Sequence, residues 1–390
     1  YPTTIVHTSF FTDEEGYLIL PQNLKIGHYR IEEVTAPNGY VLNENYYEIV
    51  VDSDTAYQVD SVSGDVIIEV VYENHPVKGK LKIVKQGEVL DDFNKDFVYK
   101  TENLAGAVFE VSAAEDIYTA DFQKDEEGNR ILEYAAGELV GTVTTDENGE
   151  VFLSDLPLGS YRIEEVKAPE GFVLNEEPQI VTFTYQDQDT PVIEQEAVFT
   201  NERQKVEVSV VKKDAETQAT VAGAVFGLYA KEDILAHGKV IVKADTLIGK
   251  VLSDENGKAV FMNDLPFGRY YIKEEAAPDG YVSSDKVIEV IAEYQGQEIP
   301  VVELSSEYEN KPTKISIKKT DLTTGVELEG AKLTVLDNDG NVVDSWTSVK
   351  GEEHLIERLT VGETYTLREE LAPYGYLKAE EVTFTVEDTA

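Results

Sequence analysis

The 390-residue chain has no cysteine, one methionine and one tryptophan. Without cysteine there is neither a disulfide framework nor a thiolate metal site, so a durable folded state must rest on other groups. Basic residues are scarce: 33 lysines and arginines stand against 76 aspartates and glutamates, a net charge of −43. Such a field repels nucleic acid and anionic membranes and excludes polyanionic partners. No run approaches the roughly 18 apolar residues of a membrane span, so no membrane contact is expected. The five histidines, at 7, 28, 75, 237 and 354, lack ligand spacing and are assigned to the surface, so neither metal nor cofactor is expected. The chain opens at Tyr1 without a signal peptide and closes at Ala390 without a wall anchor or hydrophobic tail, which reads as a piece of something longer.

What the chain does have is repetition. One phrase occurs four times: LKIGHYRIEEVTAPNGYVLN from Leu24, LPLGSYRIEEVKAPEGFVLN from Leu156, LPFGRYYIKEEAAPDGYVSS from Leu265, and LTVGETYTLREELAPYGYLK from Leu359, the last with one extra residue after its glycine. Its tyrosines, Tyr29, Tyr161, Tyr270 and Tyr365, lie 132, 109 and 95 residues apart, periods of whole domains rather than of solenoid repeats. A second phrase precedes it three times, as LAGAVFEV from Leu104, VAGAVFGL from Val221 and LEGAKLTV from Leu328. Tetrads beginning at Asp13, Asp146, Asp254 and Asp337 sit between alternating apolar runs, the pattern of β-hairpins. Joints at 72–79, 200–205 and 308–314 divide the chain into modules 1–76, 77–203, 204–311 and 312–390. The expected fold is all-β, with tandem Ig-like β-sandwich modules arranged as a rod, the first lacking its opening strands and the fourth its closing one. One exception to strand is expected within the Ser112–Glu138 insertion, where AAEDIYTADFQ predicts a short helix.

Alternation along each strand identifies polar residues that share the apolar face. Lys85 points with Leu81 and Ile83, Lys212 with Val208 and Val210, and Lys319 with Ile315 and Ile317. Glu165 points with Tyr161 and Ile163, and the same holds for Glu33, Glu274 and Glu369. In the closing strands Asn201 points with Phe199, Asn310 with Tyr308 and Asn74 with Tyr72. A complete module therefore places one lysine, one glutamate and one asparagine in its core. A buried ion pair alone is seldom worth its desolvation. Burial also lowers a lysine pKa and raises a glutamate pKa, giving a neutral amine beside a protonated acid. Held against the carboxamide carbon of asparagine, that amine can attack, expel ammonia and leave an amide bond.

These residues resemble the collagen-adhesin B-type (CnaB) or SpaA-type prealbumin-like domains of Gram-positive surface adhesins and pilins. The marks are the lysine two residues before Asp214 or Asp321, the L-x-G-A-x-F phrase, the G-x-Y-x-(I/L)-x-E-x-x-A-P-x-G-(Y/F) phrase and the closing asparagine. The resemblance implies isopeptide bonds Lys85–Asn201, promoted by Glu165, and Lys212–Asn310, promoted by Glu274. Gly87 stands where the aspartate would be. Glu33 with Asn74, and Lys319 with Glu369, are half-sites, and Asp388 is a poor substitute for the missing acceptor. The implied function is a structural stalk on the cell wall of a Gram-positive bacterium. It would be no enzyme beyond single-turnover self-cross-linking, a monomer whose partners are other modules of the same surface protein.

Several other readings compete. The triads can be hydrogen-bonded polar networks without chemistry. The insertion 112–138 or the acidic faces can grip a host extracellular-matrix protein or glycan. The incomplete ends can be finished by strands from another chain. The aspartate tetrads suit calcium by composition, but they lack the bidentate glutamate and flanking helices of an EF-type loop, so hairpin turns are expected. Doublets such as Glu32-Glu33 face opposite ways on a strand and cannot flank a glycosidic bond.

Overall fold

The computed structural model describes residues 9–389 apart from 15, 53–57, 60–65 and 121–123. The chain forms two compact units, Tyr1–Gly87 with Glu102–Glu202, and Glu88–Thr101 with Arg203–Ala390. Every regular element among the described residues is a strand.

In the first unit an antiparallel sheet runs in the order Leu139–Thr144, Val108–Ala113, Gly159–Lys167, Gln179–Phe183. A second sheet places the opening strand Lys78–Asn94 between Glu150–Leu156 and the closing strand Val192–Asn201. Their inner faces share one core, with Leu81, Ile83 and Phe199 from one sheet and Phe109, Val111, Tyr161 and Ile163 from the other. The rings of Phe109 and Phe199 lie 4.8 Å apart across it. The same unit holds a two-stranded ribbon of Gly27–Glu32 with Tyr46–Val51 from module 1.

The second unit repeats the plan. Leu247–Leu252, Val225–Ala230, Gly268–Ala276 and Val287–Ala292 form one sheet; Lys258–Phe261, the opening strand Lys205–Asp214 and the closing strand Val301–Asn310 form the other. Module 4 contributes Val342–Thr347, Lys332–Leu336, Thr364–Leu371 and Val382–Thr385 in one sheet and Lys314–Ile317 with His354–Glu357 in a second.

The repeated phrase owes its form to its tyrosine. The Tyr29, Tyr161 and Tyr270 hydroxyls each donate to the backbone carbonyl four residues back, at Lys25, Pro157 and Pro266, all at 2.7 Å. In module 4 the extra residue changes the spacing, and the Tyr365 hydroxyl instead accepts from the Thr360 amide at 3.1 Å. The aspartate tetrads are turns closed by their own first side chain. Asp146 Oδ1 accepts the amides of Asn148 and Glu150, Asp254 those of Asn256 and Lys258, and Asp337 those of Asp339 and Asn341.

The helix expected within 112–138 is absent from the described residues there. Ile117–Tyr118 pairs with Leu132–Tyr134 instead. Ile117 is buried beneath Gly159, where a Cβ would lie 2.9 Å from it, and Asp116 accepts the Ala136 amide. Tertiary burial of one isoleucine and a local cap outweigh weak helical spacing.

Candidate functional site

The opening and closing strands of modules 2 and 3 are neighbours and run parallel, whereas the other strand pairs of these sheets are antiparallel. Lys85 lies opposite Phe199 and Lys212 opposite Tyr308. Each asparagine is two residues farther along the closing strand, on the same inward face and within reach of a long amine. The glutamate comes from the facing sheet, where Glu165 is paired with Phe109 and Glu274 with Phe226. One residue after each glutamate the register slips, at Val166 and Glu275, and Glu370 repeats the bulge after Glu369. Bulges of this kind re-aim side chains beside functional sites.

In module 2, Lys85 is wholly buried, and Glu165 and Asn201 are nearly so. Lys85 Nζ contacts Asn201 Oδ1 directly and lies 3.0 Å from Glu165 Oε1. Asn201 Nδ2 donates to the same carboxylate oxygen at 3.0 Å. Burial pushes the Lys85 amine below its ordinary pKa against the opposing pull of Glu165.

Module 3 holds the same three groups more loosely. Lys212 is wholly buried, its Nζ 3.9 Å from Glu274 Oε1, and Asn310 Nδ2 donates to Glu274 Oε2 at 2.7 Å and to the Val282 carbonyl at 2.8 Å. Glu274 Oε1 and Asn310 Oδ1 are buried without a hydrogen-bond donor. Burial lowers the Lys212 amine to about 8 and raises the Glu274 carboxyl, with Asn310 and Lys212 opposing the rise.

The half-sites follow the same geometry as far as they go. Asn74 donates to half-buried Glu33 at 2.7 Å, and no lysine is paired with Glu33 among the described residues. Lys319 lies 3.1 Å from buried Glu369 but is itself partly exposed. Asp388 is turned away to Ser283.

Two supporting features carry no signal in the strand alternation. Oε2 of each glutamate accepts a backbone amide ten residues on, from Asn43, Asn175, Ser284 and Ala379 for Glu33, Glu165, Glu274 and Glu369. The aromatic residue closing the repeated phrase covers the position two beyond the lysine: Phe172 over Gly87, and Tyr281, whose hydroxyl donates to Asp214 at 2.9 Å. The fixed offset of ten from glutamate to the last residue of the VLN, VSS or LKA triplet is the pattern that aligning the four phrases exposes.

The SpaA prealbumin-like fold domain model matches residues 3–64, 93–197, 206–305 and 313–390. Comparison with curated proteins finds no match. Among solved structures the chain is similar to the TIE protein of Bacillus anthracis, with a TM-score of 0.51 and 25% identity over 89% of this chain and 52% of that one, so it spans about half of that protein's length. It is also similar to BcpA, the major pilin subunit of Bacillus cereus, with a TM-score of 0.37 and 14% identity over 80% and 96% of the two chains. For the shaft pilin SpaA of Lactobacillus rhamnosus GG the TM-score is 0.23 and the identity 16%, over 61% and 99%. With the family model covering most of its length in four successive segments, the chain belongs to the SpaA family of prealbumin-like fold domains.

Proposed function

We propose that this chain is a load-bearing stalk segment of a surface adhesin or pilin on the cell wall of a Gram-positive bacterium, in which modules 2 and 3 each staple themselves with a Lys–Asn amide bond. The observation that carries this reading is the convergence, twice in one chain, of a wholly buried lysine on a buried glutamate and a buried asparagine. A polar triad kept only for stability is poorly matched to this setting, since a well-packed apolar replacement of a buried ion pair is often no worse.

The chemistry balances within the triad. A proton passes from the lysine ammonium to the glutamate carboxylate, leaving a neutral amine and a carboxylic acid. Nζ attacks the asparagine Cγ; the Nζ–Cγ bond forms and the Cγ–Nδ2 bond breaks. Glutamate gives one proton to departing Nδ2 and takes one from Nζ, so ammonia leaves and the acid is restored. In module 2, Glu165 already touches both reacting groups, which is the positioning that makes intramolecular acyl transfer fast.

Pulling on a module by its ends loads its first and last strands. An amide joining these strands carries the force without unzipping the sheet, which supplies the durability that cysteine cannot. The neighbouring modules of the same surface protein are the partners this role requires. Intact mass tests it: the protein should be light by two molecules of ammonia, Glu165→Ala and Glu274→Ala by one each, and the double variant by none. Full mass in the unaltered protein would sink the proposal.

A further inference from the structure

The opening strand of module 2 does not stop at its lysine. It continues through Asn94, turns at Lys95, which has a positive φ of 69°, and returns along Asp96–Asn103. Read as sequence, this hairpin belongs to module 2. In the structure Glu88–Thr101 belongs to the second compact unit. Phe97 is buried in the same core as Val208, Phe226, Tyr270 and Tyr308, with Leu90, Phe93 and Tyr99 packed against that core. The rings of Phe93 and Phe97 lie 4.9 Å apart.

The root of the hairpin is fixed by polar contacts of the kind found inside a domain. The Tyr99 hydroxyl donates to the Asp264 carbonyl at 3.0 Å, and burial raises its pKa to about 12. The Arg203 guanidinium stacks 3.8 Å over the Tyr99 ring and also binds the Asp264 carboxylate. Arg203 and Gln204, the joint residues, are themselves buried, and Gln204 donates to the carbonyls of Gly296 and Ile299.

We propose that Glu88–Thr101 is a donated element of module 3: a hairpin that covers an apolar surface of residues 205–310 and without which that module's core is incomplete. One consequence follows for folding. Folding of module 3 is conditional on chain that precedes it by about one module, so the repeats are not independent beads. The chain also crosses between the two units three times, at 87/88, 101/102 and 202/203.

The test uses the full chain with Val89–Lys100 replaced by Gly-Ser, followed by hydrogen exchange read peptide by peptide. Amides around Val206–Val210, Phe226–Leu228 and Tyr270–Ile272 should exchange at least about a hundredfold faster, the scale of losing buried aromatic contacts. Those around Leu81–Ile83, Phe109–Val111 and Tyr161–Ile163 should keep their protection. Unchanged exchange in residues 205–310 would overturn the proposal, and so would an equal loss in both groups of peptides. If the shortened chain does not fold, Phe97→Ala carries the same test, with an effect of about a hundredfold confined to the module 3 peptides and the same two overturning outcomes.

Discussion

Modules 2 and 3 carry the same three buried groups in the same register, yet they differ two residues beyond the lysine. In module 3 that position is Asp214, 1% exposed, which accepts the Tyr281 hydroxyl and Arg358 Nη2, both at 2.9 Å, and the amides of Glu216 and Thr217. Arg358 belongs to module 4, so this aspartate ties two modules of one unit together. In module 2 the position is Gly87, and a Cβ there would lie 2.5 Å from Phe172 Cε1 and 2.7 Å from Leu104 Cδ1. Phe172 stands in the repeated phrase where Tyr281 stands in module 3. The two pairs, glycine with phenylalanine and aspartate with tyrosine, are alternative fillings of one site. The aspartate that marks the lysine in module 3 is therefore a module-joining group, and its separation from the proposed amide chemistry can be broken or sharpened by substitution.

The largest expected effect is common to both modules and sets the baseline. Asn201→Ala and Asn310→Ala remove the acceptors of links that would close loops of 116 and 98 residues. Each should lower stability by about 4–5 kcal/mol if loop closure governs, with nearly equal losses because the cost varies only slowly with loop length. Thermal unfolding of each variant, with intact mass to confirm one retained link, measures it. A drop in one module alone would mean that only that module is stapled.

Next in size is Asp214→Ala, which should cost up to about 3 kcal/mol by leaving the buried Tyr281 hydroxyl without its acceptor, while half-exposed Arg358 turns to water. The ammonia deficit of module 3 should be unchanged, and its loss would show that the aspartate belongs to the chemistry after all. Burial opposes ionisation of Asp214, but the Thr217 amide, Arg358, the Glu216 amide and Tyr281 outweigh it and hold the carboxyl well below the usual carboxylate range. A folded pKa below the unfolded one gives stability that is present above about pH 4 and lost as pH falls toward the folded value. Acid unfolding of Asp214→Asn should therefore lack that part of the pH dependence.

Much of the buried chemistry could be read from alternation alone. Leu81, Ile83 and Lys85 share one parity, and the three are buried together. What alternation cannot say is which core a strand faces. Phe97 and Tyr99 alternate as any half-buried strand does, and nothing in that pattern distinguishes a hairpin serving its own module from one serving the next. The bulges after Glu165, Glu274 and Glu369 are invisible for a related reason. They are set by pairing with Val108–Ala113, Val225–Ala230 and Lys332–Leu336, which are remote in sequence. The helix expected in the 112–138 insertion failed because Ile117 found a buried site under Gly159, a contact no local window contains.

A smaller effect, about 2 kcal/mol, is expected when the filling of module 3 is moved into module 2. Gly87→Asp alone overpacks the site against Phe172 and Leu104. Adding Phe172→Tyr gives the new carboxylate a hydroxyl donor, as Tyr281 does for Asp214. The double variant should recover about 1 kcal/mol relative to the sum of the singles in a denaturation cycle. Strict additivity would show that the two pairs are not alternative fillings.

The smallest effect is on rate, and it separates the modules by how firmly the lysine is held. For protein unfolded before it can react and then refolded, module 2 should link first, because Lys85 already contacts Asn201 while Lys212 stands 3.9 Å from Glu274. In module 3 the productive amine-and-acid pair holds the same single proton as the ammonium–carboxylate pair, so the two interconvert without exchange with solvent. Below the raised carboxyl pKa of Glu274 a second proton arrives and the amine is blocked; above about 8 the shared proton is lost and no acid remains to protonate departing ammonia. Linking of module 3, followed by mass, should be flat between those limits and fall by about tenfold per pH unit beyond them, a barrier change of about 1.4 kcal/mol per unit. A rate that keeps rising well above pH 8 would assign the amine alone, without the shared proton, as the reacting species and would remove Glu274 from the proton transfer.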